Sequence, residues 1–272
     1  MLRPLLAIAA AFTLLAVACK GGDSGAAPNA AGAQDGNAAA CSPALAHDAG
    51  ETTETLTSGG IERQYILRVP PGYDGLRPAP LVFAFHGFAT SARFTVDSTG
   101  LAEAAGERGW ISVFPDGAGT PQRWNVYDPT TGVDDVRFVR DLLAHLEASL
   151  CVDPARVYAA GHSNGGGMAL RFACDLPHLV AAIAPIGATY IPCQADVPMI
   201  AFHGAKDTIV PYEGGVSPIG GINLPPVHRA TSEWARGLGC DGLPTISRAA
   251  PDLELSTYRR CFDGDGETLL YT

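Results

Sequence analysis

Val157-Tyr158-Ala159-Ala160-Gly161-His162-Ser163-Asn164-Gly165-Gly166-Gly167 is the stretch that decides the fold. Its first four residues form a short apolar run of strand type, and its end opens a helical pattern that continues from Met168 to Cys174. Between them stands Gly-x-Ser-x-Gly, so the order is strand, sharp turn with a serine at its apex, helix. Such a turn needs residues without Cβ on both sides of the serine, because the helix and the neighbouring strand must come close. Ser163 is the candidate nucleophile. The alternative is a glycine-rich strand-to-helix turn with no chemistry.

Further short apolar runs bounded by Gly or Pro lie on either side: Leu81 to Phe85, Trp110 to Phe114, Ala181 to Ile186 and Met199 to Phe202. Runs of this length without polar alternation suit strands buried on both faces, as in a parallel sheet. Gln64 to Val69 instead alternates, and it stops at Pro70-Pro71-Gly72. Helical apolar spacing appears over Leu101 to Arg108, Val136 to Leu150, Gly167 to Cys174 and His228 to Leu238, with Asp134-Asp135 as an N-cap region for the second. Strands alternating with helices predict an α/β fold: a mostly parallel, doubly wound sheet with helices on both faces. No internal repeat is visible, and residues 41–272 read as one domain.

Nucleophilic attack on a carbonyl needs two backbone N–H donors for the developing oxyanion, one after the nucleophile and one in the loop following an earlier strand. Asn164 fills the first position. Phe88, which follows His86-Gly87 at the end of the Leu81 strand, fills the second. His86 precedes the nucleophile and stands at a strand end, so its expected role is to shape that loop by hydrogen bonding. Asp207 follows another buried run, Ala201-Phe202-His203-Gly204-Ala205-Lys206, and comes after Ser163 in the chain. That order matches a Ser, acid, His triad, whose acid orients the base. The alternative for Asp207 is a loop carboxylate capping the turn before Val210-Pro211.

Composition narrows the class. Of 272 residues 47% are hydrophobic and 17% charged, with 32 Gly and 21 Pro, which describes a turn-rich globular chain. A net charge of −10 argues against a nucleic-acid partner, because phosphate binding needs clustered Lys and Arg. Arg3 followed by the uncharged run Leu5 to Ala18 reads as a signal peptide over residues 1–18. Ala16-Val17-Ala18 suits ordinary signal peptidase, while Leu15 to Cys19 has the form of a bacterial lipobox. The cysteine's placement favours the second, with Cys19 lipidated. Residues 19–40 follow as a tether, 20–40 having 13 Ala or Gly among 21, too little surface to offset ordering entropy. The expected product is exported, either anchored by lipid at the outer membrane or cell surface or simply secreted. Six further cysteines in an oxidising compartment favour disulfides. Short loops favour Cys240 with Cys261 and Cys174 with Cys193, which leaves Cys41 and Cys151.

His86-Gly87 with Ser91, Phe114-Pro115-Asp116-Gly117, Arg123-Trp124-Asn125, Asp134-Asp135-Val136, Asp153 to Tyr158, Gly161 to Gly166, and His203-Gly204 with Asp207 and Val210-Pro211-Tyr212 together resemble the secreted feruloyl esterase and polyhydroxybutyrate depolymerase family. The resemblance runs over about residues 52–272. It implies an α/β-hydrolase fold and hydrolysis of carboxylic esters through a Ser-Asp-His triad, with no metal and no organic cofactor. The implied substrate is a hydroxycinnamoyl polysaccharide fragment or a hydroxyalkanoate ester, taken by a monomer. Trp124 and His162 are candidate substrate contacts, although Trp124 has an equal claim to a packing role. Family members usually have Cys where this chain has Phe88, so family disulfides there do not transfer.

The base departs furthest from that pattern. The family's catalytic His follows the last strand, whereas the one histidine beyond Asp207 is His228, at the start of a helix. His47, His145 and His178 lie far from the motifs, and an elbow neighbour such as His162 points away from where a base belongs. The expectation is a chain that stops one loop before its catalytic His. The rival reading is a non-catalytic surface lipoprotein that keeps the fold and has lost the base. Asp263-Gly264-Asp265-Gly266-Glu267 lacks the full ligand pattern of a calcium loop and is expected to be a hairpin turn.

Overall fold

The computed structural model describes residues 40–126, 132–189, 193, 195–262 and 266–272. The expected signal segment, Cys19, all but the last tether residue, and the 263–265 turn lie outside the described residues.

Among the described residues, twelve strands and five α-helices follow one another as β1 (Gly50–Ser58), β2 (Ile61–Val69), β3 (Ala79–Phe85), α1 (Ala92–Thr99), α2 (Leu101–Glu107), β4 (Ile111–Pro115), α3 (Asp135–Ser149), β5 (Val152–His162), α4 (Asn164–Asp175), β6 (Ala182–Ile186), β7 (Ile200–Phe202), β8 (Gly215–Val216), β9 (Asn223–Leu224), α5 (Val227–Gly237), β10 (Thr245–Ala250), β11 (Leu253–Cys261) and β12 (Gly266–Tyr271). Ten strands make one sheet in the order β1-β2-β4-β3-β5-β6-β7-β12-β11-β10. β4, β3, β5, β6, β7 and β12 are mutually parallel, with antiparallel pairs at both margins. This is the α/β-hydrolase architecture.

The apolar runs become β3, β4, β6 and β7, buried along their whole length. Their period of two divides the core. Leu81, Phe83 and Phe85 of β3 pack on one face with Phe138 and Leu142 of α3, Phe172 of α4 and Trp234 of α5. Val82 and Ala84 meet the other face, under Val96 of α1 and Leu101 and Ala105 of α2. The chain leaves β3 for β4 on one side and returns through α3 to β5 on the other, so the strand order reverses between β3 and β5. Ligands of open α/β sheets bind at such a reversal, beyond the carboxyl ends of the strands. Phe88 and Ser163 follow those two strands.

Three disulfides join Cys41 to Cys151, Cys174 to Cys193 and Cys240 to Cys261. Both short-loop pairings therefore hold, and the two remaining cysteines pair with each other. The first closes 110 residues, for which chain entropy alone contributes about 4–5 kcal/mol. β11 and β12, on either side of residues 263–265, pair antiparallel.

Candidate active site

Ser163 sits at φ 54° and ψ −119°, a backbone conformation that side chains other than glycine rarely adopt. It is held there from both directions. Its N–H donates to the Ile186 carbonyl at 2.8 Å, and its own carbonyl accepts from Gly167 at 3.0 Å. The flanking glycines are required sterically: a Cβ on Gly161 would lie 2.2 Å from the Gly165 carbonyl oxygen, and one on Gly165 would lie 2.2 Å from that of Phe85. The spacing read from the sequence is thus a packing condition for this turn.

Asn164 opens α4, where the first N–H groups of a helix have no intrahelical acceptor. The Phe88 amide is aimed by its neighbour. Gly87's carbonyl accepts from Thr90 Oγ1 at 2.9 Å and the Thr90 N–H at 3.3 Å, and it lies 2.7 Å from His86 Nδ1. In a trans peptide the N–H points opposite to the C=O, so pinning Gly87 O turns the Phe88 N–H the other way. His86 Nε2 accepts from the Gly117 N–H at 2.8 Å, which places the ring proton on Nδ1, donating to Gly87. Burial lowers the pKa of this imidazole, against the opposing pull of the Gly87 carbonyl and Asp116. The sequence reading of His86 as a loop-shaping residue matches this geometry.

A buried scaffold supports the elbow. The Asn164 side chain brackets the Trp124 backbone, accepting from its N–H at 2.7 Å and donating to its carbonyl at 3.0 Å. Trp124 Nε1 donates to the His86 carbonyl at 2.9 Å, and its ring packs on Phe85. At 1% exposure Trp124 is a floor of the site held by packing. Asp135 Oδ2 accepts from the Asn125 N–H at 2.6 Å, and its Oδ1 lies 2.7 Å from Arg63, an ion pair by distance without hydrogen-bond alignment. Arg63 also donates to the Asp116 carbonyl and stacks 4.1 Å over Phe138. Arg63 carries no sequence signal of its own. Its role comes from the fold, which sets β2 beside Asp135 and Phe138 of α3.

Asp207 divides its two oxygens. Oδ1 accepts from the Ile209 and Val210 N–H groups at 2.8 and 2.9 Å, which is the turn cap weighed as the alternative. Oδ2 faces Gly187 and His162: a Cβ on Gly187 would be 3.7 Å from Oδ2 and 3.6 Å from His162 Nε2. Capping and orienting a base are therefore compatible, one oxygen for each.

No imidazole hydrogen-bonds to Ser163 or to Asp207 among the described residues. His203 Nε2 lies 3.8 Å from Asp207 Oδ2 but is 2.8 Å from the Val210 carbonyl, which takes its proton. His228 is exposed on the first turn of α5, against Tyr212. His162 lines a small separate cavity with Phe85 and Ile186. Burial lowers its pKa while Asp207 raises it. β12 runs parallel to β7, with Tyr271 opposite Phe202 and the Tyr271 carbonyl bonded to the His203 N–H, so Thr272 arrives at the edge that carries Asp207.

Ser163, Asn164, Phe88 and Trp124 line one cleft of about 390 Å³. Its far wall is apolar, formed by Ile209 and by Ile219, Ile222 and Leu224 of the β8–β9 hairpin. Asp207 and His162 are not on its lining. Among the described residues no group of three or more His, Cys, Asp or Glu is placed to hold a metal ion.

The chain is similar to known proteins in sequence and in fold. The family model described as Esterase PHB depolymerase matches residues 63–204, just over half of the chain. Feruloyl esterase B of Piromyces equi is 34% identical over 217 residues, 74% of this chain and 40% of that protein. Feruloyl esterase C of Emericella nidulans is 31% identical over 175 residues, 60% of this chain and 63% of the relative. The chain thus spans less than two thirds of either relative. Among solved structures, an acetyl xylan esterase from Aspergillus awamori superimposes with a TM-score of 0.60 at 15% identity, over 80% of this chain and 92% of that one, a likeness of fold.

Proposed function

Since the chain belongs to the Esterase PHB depolymerase family, we propose that it is an exported serine hydrolase of carboxylic esters, working through Ser163, Asp207 and a histidine. The observation that carries this reading is Ser163 held at φ 54° on the lining of a largely apolar cleft that Phe88 and Asn164 also line. Ser163 Oγ attacks the ester carbonyl, and the two amides stabilise the oxyanion. The base takes the serine proton and returns it to the departing alcohol. Water then releases the acyl group by the same route.

The base is a histidine, and among the described residues none hydrogen-bonds to Ser163 or to Asp207. Asp207 Oδ2, which accepts no hydrogen bond among the described residues, is the oxygen left to orient it. The substrates proposed are hydroxycinnamoyl esters of polysaccharide fragments or hydroxyalkanoate esters, in keeping with the names of the relatives and of the family. Residues 41–272 form the esterase domain, acting as a monomer. Residues 1–18 are its export signal, and 19–40 its tether, anchored by lipid on Cys19 or secreted free. The three disulfides suit an oxidising compartment.

The test is hydrolysis of a p-nitrophenyl ester by the whole polypeptide. Ser163→Ala is expected to lower kcat by a factor on the order of 10³–10⁶. Turnover that persists in that variant would refute the assignment. Absence of turnover in the parent would favour the non-catalytic lipoprotein.

A further inference from the structure

Arg123 is the one charged residue on the lining of the Ser163 cleft among the described residues. The chain as a whole carries −10, and its other arginines are largely matched: Arg63, Arg68, Arg93, Arg156 and Arg171 each sit within ion-pair distance of a carboxylate. Arg123 has no carboxylate and no carbonyl partner among the described residues, and its side chain stands exposed at the cleft.

Its backbone, in contrast, is fixed. The Arg123 N–H donates to the Ala118 carbonyl at 3.0 Å, the preceding Gln122 carbonyl accepts from Ala89 at 2.9 Å, and the following Trp124 N–H is held by Asn164, the neighbour of Ser163. The backbone that carries the side chain is thus anchored one residue from the Asn164 bracket, while the guanidinium keeps its donors unspent. A planar, always-charged fork of this kind selects carboxylates through paired, charge-assisted hydrogen bonds. Opposite it the wall is apolar, from Ile209 to Leu224, and offers no competing acceptor side chain beyond Thr189 and Ser217.

We propose that Arg123 is a specificity-determining residue that recognises a carboxylate carried by the ester substrate away from the scissile bond. The proposal rests on the reading of the Ser163 cleft as the ester site. It makes the preferred substrate a half-ester or an ester of a hydroxy acid, with an apolar middle against the β8–β9 hairpin and an anionic end at Arg123.

Four probes test it on the Ser163→Ala protein, which keeps the ligands intact: monomethyl glutarate and its primary amide, with the charge on the acyl side, and 4-acetoxybutanoate and its primary amide, with the charge on the alcohol side. Calorimetric or NMR titration is expected to show at least one carboxylate binding about tenfold tighter than its amide, as a charge-assisted hydrogen bond allows. Arg123→Lys retains part of that preference and Arg123→Gln abolishes it, and the preference shrinks as salt rises from about 0.05 M to about 0.5 M. Equal binding within both pairs, no binding of any probe, or a preference that survives Arg123→Gln overturns the proposal. The ester reading fails separately. Turnover dependent on Ser163 but blind to substrate charge removes the role of Arg123 alone, whereas Arg123-dependent anion binding without Ser163-dependent turnover removes the esterase assignment alone.

Discussion

The two walls of the cleft are built on different physical terms. On the Ser163 wall nearly every polar group has a named partner: Ser163 with Ile186, Asn164 with Trp124, His86 with Gly117 and Gly87, Asn125 with Asp135, and Asp135 with Arg63. The opposite wall, from Ile209 through the β8–β9 hairpin, is held chiefly by short loop contacts such as Val227 N–H to the Tyr212 carbonyl, and it exposes Val216 and Ile219. Rigid donors belong where charge develops during a reaction, since preorganisation is what makes them effective. An apolar wall that only has to cover the substrate carries no such demand.

Three perturbations would sharpen or break this contrast. The largest concerns Arg63. Arg63→Ala leaves Asp135 as a buried carboxylate without its cation, which is expected to cost about 3–5 kcal/mol. Denaturant unfolding measures that loss, and a stability unchanged within error would show that the scaffold under the elbow is not under tension from this pair.

A smaller effect is expected from His86. The unfolded chain protonates this histidine near the ordinary value of 6.5, while the folded site, where burial lowers its pKa, resists the proton. The unfolded state therefore binds more protons as pH falls below that value, so the contribution of this group to stability is lost in acid and regained above it. Thermal midpoints between about pH 8 and about pH 5 should fall more steeply for the parent than for His86→Gln, which has no imidazole to titrate. Parallel curves would assign the acid sensitivity elsewhere.

The smallest effect belongs to the hairpin. Val216, 64% exposed, is expected to tolerate Val216→Ser within about 0.5 kcal/mol in stability. A loss of several kcal/mol in the same unfolding assay would mean that this wall is as tightly integrated as its counterpart.

How far each wall could be read in the sequence follows from the same difference. The elbow is contiguous, and its glycines are dictated by contacts within a few residues of chain, so Gly161 to Gly165 announced it. The central strands were legible because burial on both faces leaves an unbroken apolar run. β1 carries no such run, because its Thr- and Glu-rich residues are mostly exposed on a margin strand. α1 leaves little signal for a related reason, since Ala92, Thr95 and Val96 are its buried residues and give a weak stripe. Arg63 and Asp135 are 72 positions apart, and only the sheet brings them together. Asp134-Asp135 was read as an N-cap region, and Asp134 does accept from the Arg137 N–H, but the buried task of Asp135 could not be seen. Trp124 kept both of its readings open in the sequence, and burial shows it packed beneath the cleft.

The proposed function requires that Ser163 be the group that takes the acyl chain. Brief incubation of the whole polypeptide with p-nitrophenyl acetate, acid quenching and peptide mass spectrometry reads this directly. One acetyl group on the peptide carrying Ser163, absent from Ser163→Ala, is the predicted result. An acetyl group located elsewhere, with release of p-nitrophenol equal in the two proteins, would contradict it.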